Sequence, residues 1–230
     1  MNKIIQGDCL EEMKKIPDNS VDSIVTDPPY EITATGGGIG RRRDYLSKTA
    51  GFTDGGFDLS ILNEFDNWMV FSTLRTVPAL IERAKDRRWM LITWHKPDPT
   101  PLCNGNYLPD TEYIIHAFRS KCLHGDCRDK ARYIVRPSMK TDGGHPNEKP
   151  LDVMEKCIRN ASPRGGLVCD PYMGSGTTGV ACVRLGRQFI GIEIDPGYFA
   201  IAKRRIQDEL AKVKFLEPPK RDTQRRLIDE

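Results

Sequence analysis

Four times along this 230-residue chain a short apolar run stops at an acidic residue. Ile4-Ile5-Gln6 runs into Gly7-Asp8, Val21 to Thr26 into Asp27, Leu167-Val168-Cys169 into Asp170, and Gln188 to Ile192 into Glu193. Each run has strand length and is bounded by turn or helix residues. Strand-loop-helix units at both ends of a chain argue for a mostly parallel sheet with helices on both faces. Such sheets bind ligands beyond the carboxyl ends of their strands. The pattern therefore predicts Asp8, Asp27, Asp170 and Glu193 on one rim, and an acidic rim limits the ligand as well as the fold.

The length suits one α/β domain with a core of its own and is too short for two full domains with linkers. Hydrophobic residues make up 38% and charged residues 29%, a soluble globular composition. No run approaches the roughly 20 apolar residues that a membrane span needs. The N-terminal stretch has no apolar core of the signal-peptide kind, so the expected location is the cytoplasm. A net charge of +3 and a pI near 8.4 permit a nucleic-acid partner without demanding one. The seven cysteines lack a disulfide framework and are expected as thiols. Cys122-Leu-His-Gly-Asp-Cys127, with Cys103 and His116 nearby, does not have the usual zinc spacing, and no metal is expected.

Between the acidic stops the chain reads as follows. Cys9 to Ile16 is a helix, and Pro17-Asp18-Asn19-Ser20 a turn. Glu31 to Asp58, rich in glycine and carrying Arg41-Arg42-Arg43, is a long loop of the functional kind. Leu59 to Asp86 reads as helical, Trp89 to Trp94 as a buried strand, and Pro97 to Pro109 as a second loop. Glu112 to Phe118 and Ala131 to Arg136 read as strands. Leu151, Met154, Ile158 and Ala161 share one helix face. A last helix spans Pro196 to about Val213. One domain over 1–215, with insertions within about 31–60 and 97–140 and a polar tail over 216–230, is the expected organisation.

The chemistry concentrates in two motifs. In Asp170-Pro171-Tyr172-Met173-Gly174-Ser175-Gly176-Thr177-Thr178 a strand feeds a glycine turn that opens a helix, a turn that brings backbone close to a ligand. The dinucleotide spacing G-x-G-x-x-G is missing, and Asp170 repels phosphate. An acid beside such a turn suits a cationic or amino-bearing ligand. Glu193, with Ile194 after it, lies about 20 residues beyond, where an acid commonly accepts from ribose hydroxyls. The ligand reads as a nucleoside with a positive end, as in S-adenosylmethionine. In Asp27-Pro28-Pro29-Tyr30 the prolines remove two backbone donors and leave carbonyls and a carboxylate facing outward. That rim suits an NH2 group, and Tyr30 offers a flat face for a base.

These motifs, in this order, resemble those of the β-class DNA amino-methyltransferases, whose catalytic D-P-P-Y precedes the D-P-[FY]-x-G-S-G-T-T cofactor motif. His145-Pro146-Asn147-Glu148-Lys149-Pro150 resembles the family's H-P-x-x-K-P segment, and Gly7-Asp8-Cys9 its G-D-C turn. The resemblance covers residues 1–30 and 140–210. It implies a Rossmann-like methyltransferase fold with a mostly parallel seven-stranded sheet. It implies that Asp8 and Cys9 lie at the cofactor adenine, that Glu193 and Ile194 hold the ribose end, and that Asp170, Pro171 and Met173 to Thr178 hold the methionine end. His145 and Lys149 are implied near the cofactor, with Lys149 pairing its carboxylate. Asp27, Pro28, Pro29 and Tyr30 are implied to receive a flipped-out base.

The implied activity is methyl transfer from S-adenosylmethionine to N6 of adenine in double-stranded DNA. N4-cytosine methylation, RNA adenine methylation and a non-catalytic regulatory subunit stand as alternatives. A homodimer and a cognate restriction enzyme, or a phage or host context, are further implications. Arg41, Arg42 and Arg43 are the candidate DNA contacts, and Lys121, Arg128, Lys130, Arg132 and Arg136 a second basic face. The middle of the chain is short for this family, which predicts a short or degenerate target site. Incubation with randomised oligonucleotides checks this; strict preference of the monomer for a long site contradicts it.

Overall fold

The structure, a computed structural model, describes residues 2–29, 58–99, 107–119, 123–138 and 148–216. Its strands are β1 (Asn2–Gln6), β2 (Ser23–Thr26), β3 (Asn67–Ser72), β4 (Arg88–His95), β5 (Thr111–Phe118), β6 (Tyr133–Val135), β7 (Leu167–Asp170) and β8 (Gln188–Glu193). The helices are α1 (Cys9–Met13), α2 (Val77–Arg83), α3 (Leu151–Ala161), α4 (Thr177–Arg184) and α5 (Pro196–Leu216), with a 3-10 helix at Leu59–Glu64. The strands form one sheet in the order β1-β8-β7-β2-β3-β5-β4-β6. Among the described strands only β5 pairs antiparallel to its neighbours. The sheet has eight strands rather than the expected seven among the described residues, with the three-residue β6 added at the edge beside β4.

The chain leaves β7 for β8 on one side and β2 for β3 on the other. The strand order therefore reverses between β7 and β2, which pair in parallel through Ser23–Val168 and Ile24–Cys169. Doubly wound sheets open their ligand crevice at such a reversal.

Side chains alternate between two cores, as the period of a strand requires. Val25, Met69, Phe71 and Ile114 pack against Met154 and Ile158 of α3 and against α4. Ile24, Trp68, Val70 and Ile115 pack on the other face against Leu62 and the α2 residue Leu80. The stretch from Leu59 to Asp86, expected to be helical, contains β3. All six residues of β3 are buried. A strand covered on both faces shows a continuous apolar run, which periodicity does not separate from a buried helix. Hydroxyls mark the exit from β3, where Thr76 Oγ1 accepts from Thr73 N at 3.2 Å, and a proline opens α2.

Two polar side chains inside the sheet, Asn67 and His116, pair with each other and with the end of α3. Asn67 Nδ2 donates to Ala161 O at 2.6 Å, closing the end of α3, and its Oδ1 lies 2.9 Å from His116 Nε2. Burial pushes the His116 imidazole down to about 4, so it is neutral in the sheet. It packs there as a core residue. Burial raises the Cys157, Cys169 and Cys182 thiols, which act as small apolar groups. Cys103 and Cys122 lie outside the described residues. Among the described residues no cluster is arranged to hold a metal ion, and no helix is long and apolar enough to cross a membrane.

Gly179 fixes how closely α4 approaches the sheet and α5. A Cβ there stands 2.5 Å from Ile206 Cδ1 and 2.7 Å from Phe189 Cε1. Gly179→Val is expected to lower stability by about 1–3 kcal/mol through overpacking, read as a lower midpoint in urea unfolding.

Candidate active site

At the carboxyl end of β7 the chain turns sharply through Pro171, Tyr172, Met173 and Gly174 into α4. Gly176 caps the helix at a φ of +83°, a conformation that L side chains rarely adopt. Met173 N donates to Ile192 O at 3.0 Å and Gly176 N to Met173 O at 2.8 Å, which ties the turn to β8 and to itself. Behind the turn, Arg205 of α5 donates to Ser175 O and Ser175 Oγ, both at 2.8 Å. The same guanidinium pairs with Glu148, and Thr177 Oγ1 donates to Glu148 at 3.3 Å. Pro171, Met173, Ser175, Gly176, Thr177 and Thr178 are all buried, so the turn is a packed unit.

Asp170 sits under this turn, only 2% exposed. Thr26 Oγ1 donates to its Oδ1 at 2.7 Å, Thr178 Oγ1 to its Oδ2 at 2.6 Å, and Tyr172 N to its Oδ1 at 3.1 Å. Burial pushes the carboxyl up to about 6. The Thr178 and Thr26 hydroxyls and the Tyr172 N–H oppose that rise, and the nearby Asp27 charge adds to it.

The next rim is built by β1 and β8. Asp8 caps α1, its Oδ1 accepting from Leu10 N at 2.9 Å and Glu11 N at 3.2 Å. Gly7 N donates to Glu193 O at 3.0 Å, which extends the β1–β8 ladder to the rim. The Glu193 carboxylate accepts from Gly174 N at 2.9 Å and Asp195 N at 2.8 Å. Burial raises this carboxyl above the ordinary range against those two N–H groups. A carboxylate has about four lone-pair sites, so Glu193 keeps capacity for ribose hydroxyls while it steadies the turn. Ile194 exposes an apolar surface beside it. Cys9 shares a hydrogen bond with the Tyr172 side chain, which joins the first turn to the glycine motif. These acceptors, together with the open space around Gly174, fit an adenosine with a cationic, amino-bearing end.

Asp27 follows Thr26 directly at the end of β2 and is partly exposed, with Pro28 buried behind it and Pro29 half-buried. Its Oδ2 lies 2.7 Å from Lys149 Nζ, and the same ammonium stands 3.2 Å from Glu112 Oε2. Lys149, implied near the cofactor, lies enclosed between two protein carboxylates. The reason is position: the segment before α3 delivers Lys149 over Phe71, with its ammonium 5.5 Å from the ring centroid, between the ends of β2 and β5.

Sequence reading missed Thr26, Glu112, Glu148 and Arg205. Glu112 opens an ordinary strand pattern and Arg205 is one charge among many on α5, so neither carries a local signal. Tyr30, Arg41, Arg42, Arg43, Lys121 and His145 lie outside the described residues. Arg128, Lys130 and Arg132 are exposed, whereas Arg136 pairs with Asp152 at 2.8 Å.

The raised Asp170 carboxyl has a consequence for stability. The folded chain holds the proton more tightly than the unfolded chain, so ionisation opposes folding. That cost is complete above about pH 6 and fades as pH falls toward the ordinary aspartate range. At about 1.4 kcal/mol for each tenfold change in proton affinity, it is on the order of 3 kcal/mol. Asp170→Asn is expected to flatten the decline of the urea midpoint as pH rises from about 4 through about 6, measured against wild type across that range.

With this geometry in view, comparison with known proteins is direct. A family model described as DNA methylase, for N6/N4 methyltransferases, matches residues 21–204. The type II methyltransferase M2.MboI of Moraxella bovis is 29% identical over 238 aligned residues, covering 89% of this chain and 87% of that protein. The crystal structure of the M1.HpyAVI–SAM complex superposes with a TM-score of 0.66 at 28% identity, covering 90% of this chain and 99% of that one. The cytosine-N4-specific PvuII DNA methyltransferase shares the fold at a TM-score of 0.66 and 17% identity, covering 94% of each chain. With the family match spanning most of its length, the chain belongs to the N6/N4 DNA methylase family.

Proposed function

We propose that this protein transfers a methyl group from S-adenosylmethionine to N6 of an adenine flipped out of duplex DNA. The observation that carries the reading is the placement of Asp27 directly beside the Asp170 turn at the reversal of strand order. An acceptor for a substrate amine and a cradle for a cationic nucleoside thus share one crevice.

Asp8, Asp170, Glu193 and the turn from Gly174 to Thr178 hold the cofactor, with Ile194 lending apolar surface and Cys9 closing the first turn against Tyr172. When bound, S-adenosylmethionine would supply the transferable methyl group on its sulfonium. The rest of the work belongs to the protein. An exocyclic amine is a weak nucleophile because its lone pair is delocalised into the ring. Asp27 and the Pro28 carbonyl accept hydrogen bonds from its two N–H groups, favour a tetrahedral nitrogen and localise that pair. Positioning and fixed charges provide most of the rate. The target lies inside a duplex and is taken out of the stack, with Tyr30 as the stacking partner.

Adenine is favoured over cytosine by Asp at the first position of the catalytic motif, a family resemblance, because both bases present the same kind of amine. We assign target recognition to residues within about 31–60 and 97–140, with Arg41 to Arg43 and the exposed Arg128, Lys130 and Arg132 as phosphate or base contacts. The type II designation of M2.MboI supports a role beside a restriction endonuclease.

The test is incubation with methyl-labelled S-adenosylmethionine and mixed-sequence duplex DNA, then digestion to nucleosides and identification of the labelled product by mass. Labelled N6-methyldeoxyadenosine is expected. N4-methyldeoxycytidine overturns the base assignment, and label only in RNA overturns the substrate. Asp27→Asn is expected to lower the single-turnover rate by about 10²–10³-fold, with cofactor affinity retained.

A further inference from the structure

Four charges alternate along the rim from β2 to β4. Asp27 meets Lys149, Lys149 meets Glu112, and Glu112 meets Lys96. The Lys149 side chain is only 6% exposed. Burial disfavours its ammonium, and the Asp27 and Glu112 charges outweigh that effect and hold its affinity for the proton above the ordinary lysine value. Burial likewise raises the Glu112 carboxyl, and Lys149 and Lys96 together bring it below the usual range. Lys96 lies 5.0 Å from the Trp94 ring centroid, which shields the outer end of the row.

A buried ion pair is weak support for stability, because an apolar substitute of similar volume is often as good. It does fix geometry. Asp27 stands on a partly exposed turn, and a carboxylate there has freedom about both side-chain torsions unless something holds it. Lys149 contacts one of its oxygens and so sets the direction in which the other presents. Glu112 on β5 holds Lys149 from the opposite side, from a strand that pairs with neighbours on both edges.

We propose that Lys149 and Glu112 are positioning residues for the methyl-accepting site: Lys149 orients the Asp27 carboxylate toward the target amine, and Glu112 anchors Lys149. This rests on the proposed function and assigns Lys149 to the catalytic side of the crevice rather than to the cofactor.

The experiment compares wild type, Glu112→Gln, Lys149→Arg, Lys149→Met and the Glu112→Gln/Lys149→Met double variant by single-turnover methylation, beside direct measurement of S-adenosylmethionine binding. Lys149→Met is expected to lower the single-turnover rate by about 10²-fold, with cofactor affinity retained. Lys149→Arg, which keeps a cation against Asp27, is expected to recover part of that rate, whereas the double variant stays low. Glu112→Gln is expected to lower the rate by a smaller factor. Loss of cofactor binding in proportion to rate in Lys149→Met overturns the proposal and returns Lys149 to the cofactor. If Lys149→Met does not fold, the double variant decides, since it buries no extra charge at Glu112; a wild-type rate there overturns the proposal. Wild type inactive on every nucleic acid overturns the reading of the site itself, whereas active wild type with variants that match it overturns only the positioning role.

Discussion

A carboxylate almost wholly removed from water has to find donors inside the protein, and the donors of Asp170 tie the molecule together. One hydroxyl comes from Thr26 at the end of β2, a second from Thr178 in the first turn of α4, and an N–H from Tyr172 in the turn itself. Satisfying one side chain thereby locks the last strand of one half of the sheet to the first strand of the other, at the point where the strand order reverses. Asp27 lies one residue beyond Thr26, and the glycine turn begins immediately after Asp170. The proposed amine-accepting and cofactor-binding ends of the crevice are therefore set in register by the same bonds.

The four rim carboxylates are held by different means, and the difference sorts their roles. Asp8 and Glu193 accept mainly from backbone N–H groups, which fix an acceptor while leaving lone pairs for hydroxyls or an amine. Asp170 is held by hydroxyls and stays close to the boundary between charged and neutral. Among the described residues, Asp27 alone of the four meets a lysine ammonium directly. A rim of this sign attracts a cation and repels phosphate, so a polyanionic partner has to be gripped farther out. The exposed Arg128, Lys130 and Arg132, and Arg41 to Arg43, are placed in the chain to do that under the proposed function.

Much of this was legible without coordinates. Apolar runs ending in acids announced the parallel sheet and its rim because a strand's length and the residue that stops it are local properties. The glycine turn and Asp27-Pro28-Pro29 were equally visible, since special backbone geometry selects special residues. The stretch from Leu59 to Asp86 was misread because β3 is covered on both faces, which erases the alternation that marks a strand.

By itself, then, the sequence determined the fold class, the acidic rim, the glycine turn and the kind of ligand these suit, all consequences of short-range pattern and residue chemistry. Tertiary structure alone decided the partners. Glu112 and Lys149, 37 positions apart, meet only because β5 runs antiparallel and brings its first residues to the rim where the parallel strands end. Lys149 meets Asp27, 122 positions away, by the same convergence. No local pattern specifies such contacts, because they depend on the strand order and direction of the whole sheet.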